Sequence, residues 1–166
     1  MNRILAYQGK IVLVLAALML ASGVSWAASP HFVGPVPATL VEGNALQVCW
    51  KEAGLGNNQL IDYTASANAT ATFVCVNNGG QCPNAANKQQ VQGPVSATGT
   101  FDSGDNGQIT QCLIIQPPSV TPFCPGGQTE TLDFLSYSGI KISDDTNDVT
   151  KTATPSSITV DPFDCP

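Results

Sequence analysis

The sequence has few of the residues that catalytic and redox-metal sites require. It contains a single histidine, His31, and no methionine after Met19. A blue-copper site needs two histidines, a cysteine and usually a methionine, and a Ser-His-Asp or Cys-His triad needs a firmly held histidine base. His31 lies in a proline-bearing segment, residues 28–37, that we expect to form a loose arm. Neither kind of site is predicted, and we expect no cofactor and no enzymatic activity.

Positive charge is also scarce. The chain has six Lys and Arg residues against twelve Asp and Glu, and beyond residue 27 only four lysines remain, which gives that part a net charge of −8. Nucleic acids and anionic membrane surfaces both select for basic patches. We therefore predict neither as a partner. Solubility comes instead from uncharged Thr, Ser, Asn and Gln.

The chain lacks an apolar run long enough to span a membrane. Its longest, residues 11–21, has 11 residues, whereas a spanning helix needs about 20. Arg3 and Lys10 precede the run, and small residues follow it up to Ala27, as at a signal-peptide cleavage site. We predict that residues 1–27 are a removable export signal and that the mature protein is secreted and extracellular.

Six cysteines follow this signal, an even number that in an exported chain indicates disulfides. No C-x-x-C pair is present, so a structural zinc site is not predicted. If the strands alternate in direction, four of these cysteines cluster at one end of the fold, with three pairings open among them. Cys49 is then left to pair with Cys165. The six are Cys49, Cys75, Cys82, Cys112, Cys124 and Cys165.

The strongest structural pattern is an alternation in residues 60–76. Every odd-numbered residue from Ile61 to Cys75 is apolar, and most even-numbered ones are polar. Only an extended strand with one dry face and one wet face satisfies a period of two over this length. On a helix these residues would leave no apolar stripe to bury.

Further strand patterns follow, separated by Gly, Pro, Asn and Asp turns, and no stretch shows a helical period. Seven or eight antiparallel strands predict an all-β, immunoglobulin-like two-sheet sandwich held by disulfides, with a small closed barrel as the alternative. We expect an arm with a first short strand at 28–44 and a single domain at 45–166. The main predicted strands are 46–51, 60–76, 91–101, 108–116 (a central strand) and 131–143, the last with Leu132, Phe134, Ile140 and Ile142 on one face.

Several short runs resemble those of a group of small exported bacterial β-domain proteins that are generally described as hypothetical. The resemblance covers about residues 45–148, and its motifs are pieces of turns and strands. It implies a secreted bacterial β-domain and offers no catalytic or binding residues to carry over. The runs are Trp50–Gly56, Ala85–Lys88, Gly93–Val95, Gly99–Phe101, Asn106–Ile109 and Cys124–Gln128.

Acidic turns suggest calcium as the metal to consider. Asp144, Asp145, Asn147 and Asp148 fall in one turn, and residues 102–106 form another that is rich in Asp and Asn. Calcium binds several carboxylate and amide oxygens, although the spacing of an EF-hand is missing here. The same residues are the usual choice for hairpin turns. Ordinary turns are the preferred interpretation, with calcium kept as the alternative.

Paired carboxylates could in principle hydrolyse a glycosidic bond. The four candidates are Glu52, Asp62, Glu130 and Asp133, and nothing in their local sequence suggests a raised pKa. We interpret them as solvated surface charges.

Binding surfaces can be sought among the aromatic and hydroxyl side chains. Trp50 and Tyr63 keep step with apolar neighbours and are predicted to be core, which leaves Phe123 and Tyr137 as exposed aromatics. The polar face of the long strand, which bears Thr64, Thr70 and Thr72, could present a flat array of hydroxyls to a regular surface. Threonine is also common on any exposed strand.

We therefore predict a secreted, non-catalytic interaction module that binds an extracellular protein or glycan. Loops 77–90 and 117–128 are the expected contact surface, since rigid strands that display loops are how such scaffolds carry function. One alternative is a structural subunit of a surface layer or filament that self-associates through sheet edges. The other is a small hydrolase that acts on polysaccharide.

Overall fold

The computed structural model describes residues 29–82 and 87–163. The predicted export signal and Cys165 lie outside these residues. The described residues form nine strands, namely β1 (His31–Phe32), β2 (Ala38–Leu40), β3 (Leu46–Ala53), β4 (Leu60–Asn77), β5 (Lys88–Asp102), β6 (Gln108–Ile115), β7 (Gln128–Asp144), β8 (Val149–Thr152) and β9 (Ser157–Val160). A 3-10 turn, Glu42–Asn44, precedes β3. The described part has no helix that is long and apolar enough to cross a membrane.

The strands form two antiparallel sheets that pack face to face, which confirms the predicted sandwich. In the smaller sheet β3 is central, with β1 and β2 on one side and β6 on the other. In the larger sheet the order is β5, β4, β7, and then β8 and β9 along the outer edge of β7. Within the described chain no ladder joins the two sheets, so the closed barrel is not formed.

The alternation predicted for β4 decides what lies between the sheets. Odd-numbered side chains from Ile61 to Ala71 are buried, and the even-numbered ones face outward. The buried small residues of β4, such as Ala65 and Ala69, let the smaller sheet approach closely. Its Leu46, Val48 and Trp50 fill the space opposite. The predicted core positions of Trp50 and Tyr63 are confirmed.

Two β-bulges in β7 interrupt its alternation. The ladder between β4 and β7 shifts between Ser66 and Asn68 and again between Thr72 and Phe73, so that β7 carries one extra residue at each place. Gly139, with φ of +62°, lies at the first shift, as expected for a bulge that needs a left-handed residue. Each bulge exchanges the inward and outward positions of β7.

The bulges explain two wrong predictions. Phe134 pairs with the outward-facing Thr72 and so does not share the inner face with Ile140 and Ile142. Tyr137 was expected to be exposed but is fully buried, and its hydroxyl donates to the Asn44 carbonyl at 3.1 Å. An unbroken period of two assigned both residues to the wrong side.

Two other expectations were wrong. We predicted β6 as a central strand because it is apolar at three successive positions, but it pairs with β3 alone among the described strands and leaves Ile114 exposed. The segment predicted as a loose arm belongs to the smaller sheet. His31 and Phe32 pair with β3, and Val36 is buried in the core.

The disulfides differ in part from those expected. Cys49 pairs with Cys112 across the ladder of β3 and β6, which rules out the predicted Cys49–Cys165 bond and removes Cys112 from the expected cluster. Cys75 pairs with Cys124, one of the pairings left open. Cys82 is also disulfide-bonded. Two bonds with both members described indicate an oxidising, extracytoplasmic environment.

Candidate functional site

Three features could carry function: a buried carboxyl cluster, a loop end and a hydroxyl face. The buried carboxyl cluster consists of Glu52, Tyr63 and Asp144, with Trp50 packed against it. Glu52 follows Leu46, Val48 and Trp50 on the inward face of β3, and its side chain is 0% exposed. Tyr63 comes from β4 and Asp144 from the end of β7. Three strands from both sheets thus bring these polar groups to one end of the sandwich core.

The cluster brings two carboxyl groups near each other inside the core. The Tyr63 hydroxyl donates to Glu52 Oε2 at 2.8 Å, while Glu52 Oε1 has no hydrogen-bond partner among the described residues. The charge of Asp144 opposes the ionisation of Glu52. We infer that Glu52 holds a proton, which removes the repulsion between the two carboxylates.

The pKa values agree with that inference. Burial raises the pKa of Glu52 to about 7, and the charge of Asp144 adds to the rise, whereas the Tyr63 hydrogen bond and the charge of His31 oppose it. Burial, followed by the hydrogen bond to Glu52, also raises the pKa of the Tyr63 hydroxyl well above its usual range. The cluster therefore favours a neutral Glu52 and a neutral Tyr63.

The aromatic rings close this cluster from the side. The Trp50 and Tyr63 ring centroids are 4.7 Å apart, and that of Phe101 lies 5.7 Å from Trp50 and 6.0 Å from Tyr63. Glu52, Tyr63 and Asp144 are each at most 1% exposed. No substrate can reach carboxylates that are covered to this extent, so the arrangement is suited to holding the two sheets together.

The four predicted carboxylates do not come together. Glu52 is inside the core, whereas Asp62 faces outward on β4 in the other sheet and accepts a hydrogen bond from Thr100 at 2.6 Å. Glu130 and Asp133 lie toward the opposite end of β7, where Asp133 is 3.7 Å from Lys88. Asp62 instead shares a shallow surface cleft of about 260 Å³ with Asp145.

The turn for which calcium was the alternative interpretation uses its first carboxylate internally. Asp144 Oδ1 accepts hydrogen bonds from the backbone nitrogens of Thr146 and Asn147, and Oδ2 accepts one from the Asn147 side chain. Asp145 accepts a hydrogen bond from Thr64, and Asp148 adopts a left-handed φ of +58°. Across residues 29–82 and 87–163, no three His, Cys, Asp or Glu side chains are grouped to hold a metal ion. Calcium binding by this turn stays the alternative to an ordinary turn, and isothermal titration at millimolar calcium tests it.

The loop end is formed by residues 78–82 and 116–127. Because β4 and β6 run in the same direction, both segments leave the sandwich at the same end, as predicted. The Cys75–Cys124 bond ties the second segment to β4. In the first, the Asn77 side chain accepts hydrogen bonds from the backbone nitrogens of Gly79 and Gln81.

The hydroxyl face is the outer face of the larger sheet. Four successive rows of paired residues cross it from β5 through β4 and β7 to β8 or β9. Twelve of the sixteen positions are Ser or Thr, and Lys141 is the only charged one. The rows are Thr98, Thr64, Ser143, Thr150; Ser96, Ser66, Lys141, Thr152; Pro94, Asn68, Ser138, Ser157; and Gln92, Thr70, Ser136, Thr159.

Sequence reasoning found only part of these features. It named Thr64, Thr70 and Thr72 from β4 but not the matching rows on β5, β7, β8 and β9. The buried carboxyl cluster was missed although a signal was available. Extending the alternation of β3 by two residues places Glu52 inside, and extending Ile140 and Ile142 by two places Asp144 beside it.

Comparison with known proteins adds little to this geometry. No family model and no curated protein matches the sequence. Among solved structures, Spo0M, the sporulation control protein of Bacillus subtilis, aligns over 81% of this chain and 47% of its own length, at 13% identity and a TM-score of 0.24. The chain thus spans about half of that protein. A likeness of this size carries no argument about function.

Proposed function

We propose that this protein is an exported, non-catalytic interaction module and that it contacts an extracellular protein or glycan through its loop end. The observation that carries the proposal is the Cys75–Cys124 bond. It fixes the segment 116–127, which has no strand or helix of its own, against the end of β4. A loop held in one conformation loses less entropy when it binds, so fixed loops favour affinity.

The loop end also exposes polar side chains on a stable base. Gln116, Ser119 and Thr121 are exposed, while Phe123 and Cys124 are half-buried and anchor the segment. Its final turn is closed by a hydrogen bond from the Gln128 nitrogen to the Pro125 carbonyl at 3.1 Å. Export is supported by the oxidised cysteines together with the signal pattern at residues 1–27.

A paired set of variants tests this proposal. The purified protein is applied to a glycan array and to an array of extracellular proteins. The triple variant Gln116→Ala/Ser119→Ala/Thr121→Ala keeps Cys124 and should lose whatever signals the wild type gives. The matched variant Thr39→Ala/Gln108→Ala/Thr110→Ala, on the smaller sheet, should keep them. Signals that survive in the loop variant contradict the loop end as the contact surface.

A second candidate function is self-assembly through sheet edges. Strand β5 has 15 residues and pairs with β4 alone among the described strands. A long unpaired edge is a template for another strand, although Pro94 on β5 interrupts its row of donors. Light scattering across a concentration series distinguishes the candidates. Large assemblies support a surface-layer or filament subunit, and a constant monomer mass supports the interaction module.

A further inference from the structure

We propose that the hydroxyl face is a second contact surface, separate from the loop end, and that it lies flat against a neutral, insoluble polysaccharide. The face extends over four strands in each row, and each row is set by backbone pairing. In an antiparallel sheet the rows repeat about every 7 Å along a strand and the strands are about 4.8 Å apart. The hydroxyls are therefore held in a fixed two-dimensional arrangement.

The chemistry of the face defines the partner. A hydroxyl both donates and accepts hydrogen bonds, and Ser and Thr lose little side-chain entropy when they are ordered. Some pairs are already ordered by each other, since the Ser143 and Thr150 oxygens are 3.0 Å apart and those of Ser136 and Thr159 are 3.2 Å apart. Such a face matches a partner that also presents many neutral groups able to donate and accept.

Charge excludes the other common partners. The chain carries eighteen charged Lys, Arg, Asp and Glu side chains, yet the four rows include only Lys141, and two carboxylates, Asp62 and Asp145, border the first row. Polyanions and anionic membranes select for clustered cations. The centre of a protein interface is enriched in Tyr, Trp and Arg, and these rows have none. A neutral polymer of hydroxyl groups is the partner that fits this composition.

The shape of the face favours a polymer over a perfectly regular lattice. The bulge at Gly139 breaks the repeat between the second and third rows, and it opens a shallow depression of about 220 Å³. Ser66, Asn68, Pro94 and Lys141 surround this depression. A crystal lattice such as ice demands an unbroken repeat, whereas a polysaccharide chain can place one sugar over the depression and others over the rows on either side.

Retention on insoluble powders tests the proposal. The purified protein is mixed with microcrystalline cellulose and with chitin, and the bound fraction gives a partition constant. We expect retention on at least one powder, and we expect it to persist in ~1 M NaCl, because screening by salt acts on charges and fifteen of the sixteen row positions are uncharged. The proposal is overturned if the protein binds neither powder, or if salt abolishes the binding. Binding to ice but to neither powder also overturns it.

Two triple variants with the same added charge locate the contact. Thr70→Glu/Ser96→Glu/Thr152→Glu places three carboxylates within the rows, at side chains that make no hydrogen bond to another described residue. It should lower the partition constant roughly tenfold or more, since each charge must be buried without a partner. Thr39→Glu/Gln108→Glu/Thr110→Glu places the same charge on the smaller sheet and should bind as the wild type does. Equal binding by the two variants overturns the proposal.

Two further proteins keep the outcome unambiguous. If the triple face variant fails to fold by circular dichroism, the single change Ser96→Glu at an exposed edge position replaces it, with Thr110→Glu as its control. The loop variant described above should bind the powders as the wild type does. If the loop variant loses powder binding and the face variant keeps it, the hydroxyl face is not the polysaccharide contact. The loop end is then supported as the contact surface.

Discussion

The Tyr63 hydroxyl donates a hydrogen bond to Glu52 Oε2 at 2.8 Å across the space between the two sheets. The two residues come from β4 and β3, so the bond joins one sheet to the other within an apolar core. Glu52 is fully buried and shares its surroundings with Asp144. The free energy of folding therefore depends on the protonation of this one carboxyl group.

Stability should fall as the pH rises through the range set by Glu52. Its pKa is raised from the ordinary value of 4.5 to about 7 in the folded protein, so the folded state binds the proton more tightly than the unfolded state does. The stabilisation that the protonated Glu52 gives to the folded state is complete below pH 4.5 and is lost between pH 4.5 and about 7.

Glu52→Gln tests that dependence, because the amide mimics the protonated acid. The variant should be more stable than the wild type at about pH 8, by up to about 3 kcal/mol, and close to it at about pH 4.5. Urea unfolding at the two pH values measures the difference. An equal difference in stability between wild type and variant at both pH values would contradict a proton held by Glu52.

Gly99→Ala should destabilise the fold by overpacking. A Cβ at position 99 would lie 2.9 Å from two ring carbons of Phe101 and 3.2 Å from Leu113, and any shift of the Phe101 ring disturbs its packing on Trp50 and Tyr63. We expect a loss of about 1–3 kcal/mol in the free energy of unfolding. Gly93→Ala, on the same strand with open space around it, is the matched control. A cost as large at Gly93 would point to backbone effects instead of packing.

Ser103→Ala should loosen the end of the sandwich that carries the buried carboxyl cluster. The Ser103 hydroxyl donates to the Gly56 carbonyl at 2.7 Å and accepts from the Gln59 nitrogen at 2.9 Å, and the side chain is buried. Removing it leaves two backbone groups without partners, at a cost of about 1–3 kcal/mol. Ser96→Ala, which is exposed, should change stability by less than about 0.5 kcal/mol. Chemical denaturation compares the two.

The two fully described disulfides should act on different parts of the molecule. Cys75→Ala/Cys124→Ala releases the segment 116–127, so hydrogen exchange should accelerate there while β3 and β6 stay protected. Cys49→Ala/Cys112→Ala should leave that segment protected and lower global stability by about 2–4 kcal/mol, because the lost bond no longer restricts the unfolded chain. Exchange that accelerates equally everywhere in both variants would contradict this division.

The sequence predicted the strands well because long alternation and turn residues are local signals. β4 was expected at 60–76 and spans Leu60–Asn77, and the Asn-Gly turn before β6 lies where expected. Pairing partners are not local. β6 looks like a central strand from its apolar residues, yet it lies at an edge, and the partner of Cys49 follows from the ladder between β3 and β6.

The bulges in β7 could not be predicted from the sequence either, because they too depend on strand pairing. They are visible only as a mismatch in length between β7 and β4, and that mismatch appears once the two strands are paired. The face of Phe134 and the burial of Tyr137 depend on them. Glu52 differs, because its place in the alternation of β3 was available in the sequence and only the expectation that carboxylates face water concealed it.

The extra residue at Gly139 lets one strand hold two partners on a single edge. β8 pairs on one side of the bulge and β9 on the other, and Ile140 hydrogen-bonds the connection between them through Ala153 and Ser156. A one-residue deletion here would reverse which side chains of Gln128–Ser138 meet water. The loss of a single codon would thus exchange the core-facing and solvent-facing side chains over more than half of β7.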